Sequence, residues 1–446
     1  MSGAPPEPRA LLRELFAAGV AAVDGGAAVR RAVRRAGGGV EIVGTPARFL
    51  LDPERAHVLA AGKAALAMAR AWHAHAGVPR AGLAIAREPG ELPAPWRVRV
   101  GGHPLPTDTS AQAGRAALAF AAAVPADAEL VVLLSGGASS LMSAPLPGLT
   151  LAELRETTSL LLRSGAEIGE LNGVRKHLTA VSGGRLAEAM GARAAVVLVL
   201  SDVIGDDFGT IASGPLAPDP TTFAGAIATL RKRGCWASVA AAVRTHLERG
   251  AAGEIPETPK PSAQLFERTR HLVVANNERA LDAVAERARS WDLHLVREPR
   301  PIRGEARDIG ARIAAELLDP HTPKQESPQR RLWIFGGETT VSVRGDGRGG
   351  RCQELALAAA LKLAGERRMT LLAAGTDGSD GPTPAAGAFA DGATIARGSA
   401  AGVDAEQALA RNDSYGFFAR EGGLFVTGPT GTNALDVVMV LVEPHS

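Results

Sequence analysis

The sequence predicts an α/β protein built of two α/β domains, and three observations carry that prediction. Short apolar runs rich in Val, Leu and Ile alternate with longer Ala/Leu/Arg segments of helical period, the pattern of parallel strands joined by crossover helices. The length, 446 residues, exceeds what one ordinary core organises. The run GAAGEIPETPKPSA (250–263) mixes Gly, Pro and acidic residues without periodicity and reads as a linker. It divides the chain into domains at 1–258 and 259–446.

Taken in order, a first helix is expected at 8–24. The apolar run HVLAA (57–61) reads as a buried strand that breaks at Gly62 into a helix at 63–76. GLAIA (82–86) is the next strand, followed by a helix at 110–123; LVVLLS (130–135) precedes helices at 150–164 and 183–190. AVVLVLS (195–201) leads to a helix at 223–233, and HLVVAN (271–276) to helices at 277–290 and 304–318. The polar run 319–331 reads as a surface loop. LWIFGG (332–337) and TTVSVR (339–344) read as two strands before a helix at 352–364, and MTLLAAG (369–375) and VVMVLVE (437–443) close the pattern.

Composition narrows the function. With 46% hydrophobic and 22% charged residues and a formal net charge of +2, the chain lacks the field of a nucleic-acid binder. No apolar run reaches the roughly 18 residues needed to cross a bilayer, and the N-terminal MSGAPPEPRALLREL has no signal-peptide pattern, so a cytoplasmic location is expected. Cys235 and Cys352 form no metal-binding spacing and are expected as reduced thiols.

In open parallel sheets ligands bind beyond the C-terminal strand ends, and the loops there share a composition. LLSGGASSLMSAP (133–145), LSDVIGDDFGTIASGP (200–215), IFGGETT (334–340), AAGTDGSDGP (373–382) and FVTGPTGTN (425–433) are built from Gly, Ser, Thr and Asp. Each alone is compatible with an ordinary turn. Together they suit phosphate and magnesium, because glycine amides and hydroxyls cradle anions and Asp supplies hard oxygen ligands. Lys63 follows a strand and opens a helix, where like charge opposes the dipole, so an anionic partner makes sense; the alternative is a stem that covers apolar surface. Ala64 and His57 exclude a Walker A motif. GDGRGGRCQELA (345–356) contains G-x-G-x-x-G, yet TTVSVR reads as half-exposed and the acidic residue that a dinucleotide site needs comes late, at Asp377. Arg348 and Arg351 suit a transferring phosphoryl group better, against the alternative of a hairpin end with solvated arginines. Arg175, Lys176 and His177 are either a carboxylate or phosphate clamp or a solvated face. His103 reads as a loop histidine rather than a metal ligand, and Leu141 breaks the nucleophile elbow around Ser139.

The stretches AAGKAA (60–65), GGHPLPTD (101–108), LLSGGASSL (133–141), LNGVRKHL (171–178), SDVIGDDFGTIASGP (201–215), GGETTVSVRGDGRGGRCQELAL (336–357), AAGTDGSDGP (373–382) and TGPTGTN (427–433), in this order, resemble the class II glycerate 2-kinase family. The C-terminal part of that family is called the MOFRL module, and its members have often been labelled hydroxypyruvate reductases. The resemblance covers nearly the whole chain. It implies a larger Rossmann-like N-terminal domain and a smaller α/β C-terminal domain with the active site in the cleft between them, a monomer or homodimer, and Mg²⁺-dependent transfer of the ATP γ-phosphoryl group to the 2-hydroxyl of D-glycerate. The family's important lysine and arginine carry over to Lys63 and Arg351. The chain departs from the family pattern at Ser182, Cys352 and Leu435. On placement and charge, Lys63 and Arg351 are expected to neutralise the phosphoryl group or the substrate carboxylate, and Asp202 to accept the hydroxyl proton, with Asp206 or Asp207 as the second choice. Ser135, Gly136, Gly137, Ser139 and Ser140, with Arg175 and Lys176, and Gly347, Gly349 and Gly350 are expected to bind substrate or phosphate. Glu338 and Asp377, and Asp206 and Asp207, are expected near the metal. The rival readings are an NAD(P)H-dependent hydroxypyruvate reductase and a non-catalytic sugar-acid or nucleotide-binding protein.

Overall fold

The computed structural model describes residues 6–37, 39–43, 49–191, 193–319 and 329–444. Two compact α/β units are present: Gly25–Val274, and Met1–Asp24 together with Ala275–Ser446. The boundary therefore falls near 274 rather than at 258. The reason is that the run 250–263 is bound to the first unit despite its linker composition: Asp219 N–H donates to Pro259 O at 2.9 Å and Thr258 Oγ1 donates to Asp219 Oδ2 at 2.9 Å. The helix Pro8–Ala22 joins the second unit, where Gly19 lets it lie against Ala280 and Val284 of the helix Asn277–Arg289. Most of the surface loop expected at 319–331 lies outside the described residues.

Six strands form the main sheet of the first unit in the spatial order Trp96–Val100, Ala81–Ala86, His57–Ala61, Leu130–Ser135, Ala195–Leu200, Thr269–Ala275. Counted along the chain this is 3-2-1-4-5-6, the order of a doubly wound dinucleotide-binding sheet; the four pairings among its first five strands are parallel. The strands Leu130–Ser135 and Ala195–Leu200 are buried at every residue, as sheets covered on both faces require. Leu59, Ile85, Val132 and Val197 pack with Ala113, Ala117 and Phe120 of the helix Asp108–Ala122. A separate helical cluster is built around Leu161, Val174, Phe223 and Leu247. A small antiparallel sheet, Val33–Ala36, Gly39–Ile42 and Phe49–Leu51, precedes the main one.

The second unit departs from the parallel pattern. The strand Asp436–Val442 lies between Arg331–Thr340 and Met369–Gly375 and runs antiparallel to both, while His294–Arg297 and Ile302–Glu305 pair parallel to Arg331–Thr340. An apolar run buried on both faces carries no mark of its direction. The strands expected at 332–337 and 339–344 are one strand, Arg331–Thr340. The antiparallel insertion sets the N-terminal Asp436 in register with Gly337 and Gly375 near the C-terminal ends of its neighbours. Among the described residues no helix is long and apolar enough to cross a membrane.

Candidate active site

In a 3-2-1-4-5-6 sheet the ligand crevice opens where strand order reverses, between the first and fourth strands. Here those strands are His57–Ala61 and Leu130–Ser135, and the next residues are Gly62-Lys63 and Gly136-Gly137. The two turns are locked together. Lys63 N–H donates to Gly136 O at 2.9 Å, and Ala64 N–H donates to Ser135 Oγ at 3.1 Å. Gly62, at φ 122°, lies so close to Ser135 that a methyl group there would meet Ser135 Oγ at 2.2 Å, so no side chain fits at the turn. Ser135, expected to bind phosphate, is thereby spent on holding the turn: it is buried and bonds Ala64 N–H and Ala61 O.

Around these turns the other strand ends converge. Asp202, after the fifth strand, sets Oδ2 within 1.9 Å of where a methyl on Gly136 would be. His103, after the third strand, brings Cδ2 within 3.0 Å, and Lys63 brings Cγ within 3.3 Å, of the corresponding point on Gly137. A lysine stem, a carboxylate and an imidazole thus surround two consecutive glycines. The turn carries two consecutive glycine amides, Gly136 and Gly137, groups of the kind that bind anions. Histidine 103, read from the sequence as a loop residue, belongs to this cluster; its Gly-Pro surroundings gave no sign of that.

Beyond the glycines the chain continues into hydroxyl groups. Ser140 Oγ donates to Pro104 O at 2.8 Å, so it ties the His103 loop down. Ser139 Oγ lies 2.9 Å from Ser213 Oγ and accepts from Arg175 Nη2. Lys176, expected beside Arg175 as part of the same clamp, turns away: its Nζ is 3.3 Å from Asp219 Oδ1 and both side chains are buried. Burial pushes the Asp219 carboxyl up, but the Lys176 charge and bonds from Thr221 and Thr258 outweigh it and hold it below the usual range. Asp219 was not singled out from the sequence; an Asp between two prolines reads as a turn.

In the second unit Arg351 opens the helix Arg351–Leu363. Its Nε and Nη2 donate to Asp436 Oδ2 and Oδ1 at 2.6 and 2.9 Å, and Nη1 is 2.6 Å from Glu338 Oε1. Burial pulls the guanidinium pKa down, yet Asp436 and then Glu338 outweigh it and the net shift is upward. One cation here faces two carboxylates, so Arg351 orients both acids. The rest of the RCQEL motif is equally committed. Gln353 Nε2 donates to Asp380 Oδ2 at 2.9 Å and to Thr383 Oγ1 at 3.0 Å. Glu354 accepts from Arg307 at 2.7 Å and from Asn412 at 3.0 Å, and Cys352 is buried.

The expected cradle at Gly347, Gly349 and Gly350 is turned inward. Arg344 and Gly345 N–H donate to Asn412 Oδ1, Gly347 N–H to Arg411 O and Arg348 N–H to Asp413 Oδ1. Methyl groups at Gly347, Gly349 and Gly350 would meet Asp413, Ser414 and Asp380 at 2.2–2.4 Å. The helix N-terminus behind the loop already holds an anion, since Asp380 accepts from Cys352 and Gln353 N–H at 3.1 and 2.8 Å. Burial raises that carboxyl to about 6. The G-x-G-x-x-G match therefore has a packing explanation where the amides of Gly345, Gly347 and Arg348 meet the protein's own oxygens.

The acidic residues expected at a metal do not gather into one cluster: among the described residues no three His, Cys, Asp or Glu side chains converge on a metal-sized space. Glu338 pairs with Arg351, Asp377 Oδ1 accepts from Ser379 N–H and Oγ at 3.0 Å, and Asp207 accepts from Thr210 Oγ1. Asp206 sits at φ 55° in the same turn. Each of these carboxylates is a hard oxygen donor of the kind Mg²⁺ takes.

A doubly wound sheet with a lysine and paired glycines at its switch point, joined in one chain to a mixed-sheet unit, defines a class: an α/β enzyme that handles an anionic substrate. Residues 11–248 match a domain of unknown function (DUF4147) and residues 331–436 match the MOFRL family. The chain is 37% identical over 391 residues to a glycerate 2-kinase of Pyrococcus horikoshii, covering 87% of each chain. It is 38% identical over 396 residues to a D-glycerate 2-kinase of Thermotoga maritima, covering 88% of this chain and 92% of the other. The crystal structure of the Thermotoga maritima glycerate kinase superimposes with a TM-score of 0.81 at 35% identity, over 97% of this chain and 99% of that one. The chain belongs to the glycerate 2-kinase family.

Proposed function

We propose that the protein transfers the γ-phosphoryl group of ATP to the 2-hydroxyl of D-glycerate, giving 2-phosphoglycerate. The observation that carries this reading is the placement of Lys63 and the Gly136-Gly137 amides at the switch point of the first sheet, with family membership supporting the substrate. Phosphoryl transfer asks little covalent chemistry of a protein; it asks for positioning and for positive charge on the equatorial oxygens. Lys63 and the two glycine amides supply that charge and those donors. Asp202, against Gly136, accepts the hydroxyl proton as oxygen attacks phosphorus. Magnesium, when bound with the nucleotide, supplies screening of phosphate charge, and Asp377 is the carboxylate suited to touch it. Arg351 acts as a positioning residue that keeps Glu338 and Asp436 in fixed orientation.

Phosphorus NMR of the purified protein with D-glycerate and MgATP tests the reading, with a parallel reaction containing hydroxypyruvate and NADH. A 2-phosphoglycerate resonance without NADH loss is expected. NADH oxidation without a phosphorylated product would establish the reductase instead.

A further inference from the structure

Arg175 is a half-buried cation that the chain does not neutralise. It lies in the last turn of the helix Ile168–Lys176, and burial alone pulls its guanidinium down to about 10, with no acidic group opposing the shift. Its recorded bond goes to a hydroxyl, Ser139 Oγ. Proton directions in the chain that follows are determined, because Arg175 can only donate and Asn172 Oδ1 can only accept. Ser139 therefore donates to Ser213 at 2.9 Å, and Ser213 donates to Asn172 Oδ1 at 3.1 Å. Ser213 is held in this relay by left-handed backbone, φ 60°, next to Ala212 at φ 53°. Non-glycine residues seldom adopt that region, and where they do the strain tends to mark a functional position. Three residues, Ser139, Ser213 and Asn172, are thus organised around one arginine whose remaining donors have no carboxylate of the chain to meet among the described residues.

The charge balance identifies the ligand. Lys176 adds no net charge, since Asp219 compensates it. Arg175 itself contributes a single positive charge with no acidic partner, which matches a monoanionic carboxylate. A guanidinium fork also fits the two oxygens of a carboxylate. We infer that Arg175, oriented by Ser139 and Ser213, binds the carboxylate of the hydroxy-acid substrate and so selects D-glycerate over neutral polyols. This inference rests on the glycerate 2-kinase reading for the identity of the acid.

The test is steady-state kinetics of Arg175→Met and Arg175→Lys with D-glycerate and ATP varied separately, glycerol as a neutral acceptor, and calorimetric titration of D-glycerate into each protein without nucleotide. Arg175→Met should raise KM and Kd for D-glycerate on the order of 10–100-fold, the span expected for a charged hydrogen bond. Arg175→Lys should recover part of the loss, the KM for ATP should stay within about 3-fold, and glycerol should be used equally poorly by all three proteins. Ser139→Ala should raise the D-glycerate KM several-fold, which keeps the test open if Arg175→Met does not fold. Unchanged D-glycerate KM and Kd would overturn the inference, and so would a loss confined to ATP, which would assign Arg175 to phosphate. If wild type binds D-glycerate but does not phosphorylate it, the kinase reading fails while loss of binding in Arg175→Met still supports the clamp.

Discussion

Two glycine-rich turns of similar composition, SGGASS after the strand Leu130–Ser135 and GDGRGG before the helix Arg351–Leu363, end in opposite chemistry. At the first, Lys63, His103 and Asp202 stand around Gly136 and Gly137. At the second, amides of Arg344, Gly345, Gly347 and Arg348 bond back to residues 411–413, and the helix N-terminus is capped by Asp380. Glycine allows close approach in both places. What approaches differs: in one turn it is a set of charged side chains, in the other it is the protein's own backbone and a capping carboxylate.

Substitutions can break that comparison from either side. The largest effect is expected at the first turn, where Asp202→Asn should lower kcat by about 10²–10⁴ with little change in the KM for ATP, the usual range for loss of a general base. A kcat within a few-fold of wild type would remove Asp202 from the mechanism. In the second unit, Arg351→Met should cost about 3 kcal/mol in urea unfolding, because it leaves the buried Asp436 without its cation; the figure is taken at the low end because the arginine is a third exposed. An unchanged unfolding midpoint would show that the Asp436 pair does not hold that region. Gly347→Ala should destabilise by roughly 1–3 kcal/mol through collision with Asp413 and Arg411, while activity per folded molecule stays within a few-fold of wild type. A selective loss of activity in a stable Gly347→Ala protein would return the second turn to the active site.

The smallest effect is a pH slope. Burial raises Asp380 to about 6 from an ordinary value near 3.8, so the folded state holds this proton more tightly than the unfolded chain does. Stability from this group is therefore greatest below about pH 4 and declines as pH rises through about 6. Asp380→Asn should remove that decline, read as the difference between wild-type and variant unfolding free energies from pH 4 to pH 7. A difference that does not change over this window would mean that Asp380 titrates normally.

Much of the fold was legible because period and burial are written in the same residues. LVVLLS and AVVLVL could only be strands buried on both faces, and the helices at 108–122, 277–289 and 351–363 lie within two residues of their expected bounds. Strand direction was not legible: VVMVLV reads the same parallel or antiparallel, and only the fold shows that Asp436 arrives beside Gly337 and Gly375. WRVRV was passed over because its alternating arginines mask an edge strand, Trp96–Val100. In the site, Lys63 was found through its strand-turn-helix context. Asp219, Asp380 and Asp436 were passed over because an acid that pairs inside the protein carries the same letter as one that faces a ligand.

The central claim is that the anion site lies at the switch point of the first sheet and not at the G-x-G-x-x-G turn. It is tested most directly by removing one positive charge at each place: Lys63→Met, and Arg348→Met, whose guanidinium stacks on Tyr415 at 4.9 Å. The measurement is kcat/KM for D-glycerate phosphorylation. Lys63→Met should lose about 10²–10³, the usual cost of one transition-state contact, with Arg348→Met within a few-fold of wild type. The reverse order, with Arg348→Met inactive and Lys63→Met active, would contradict the account.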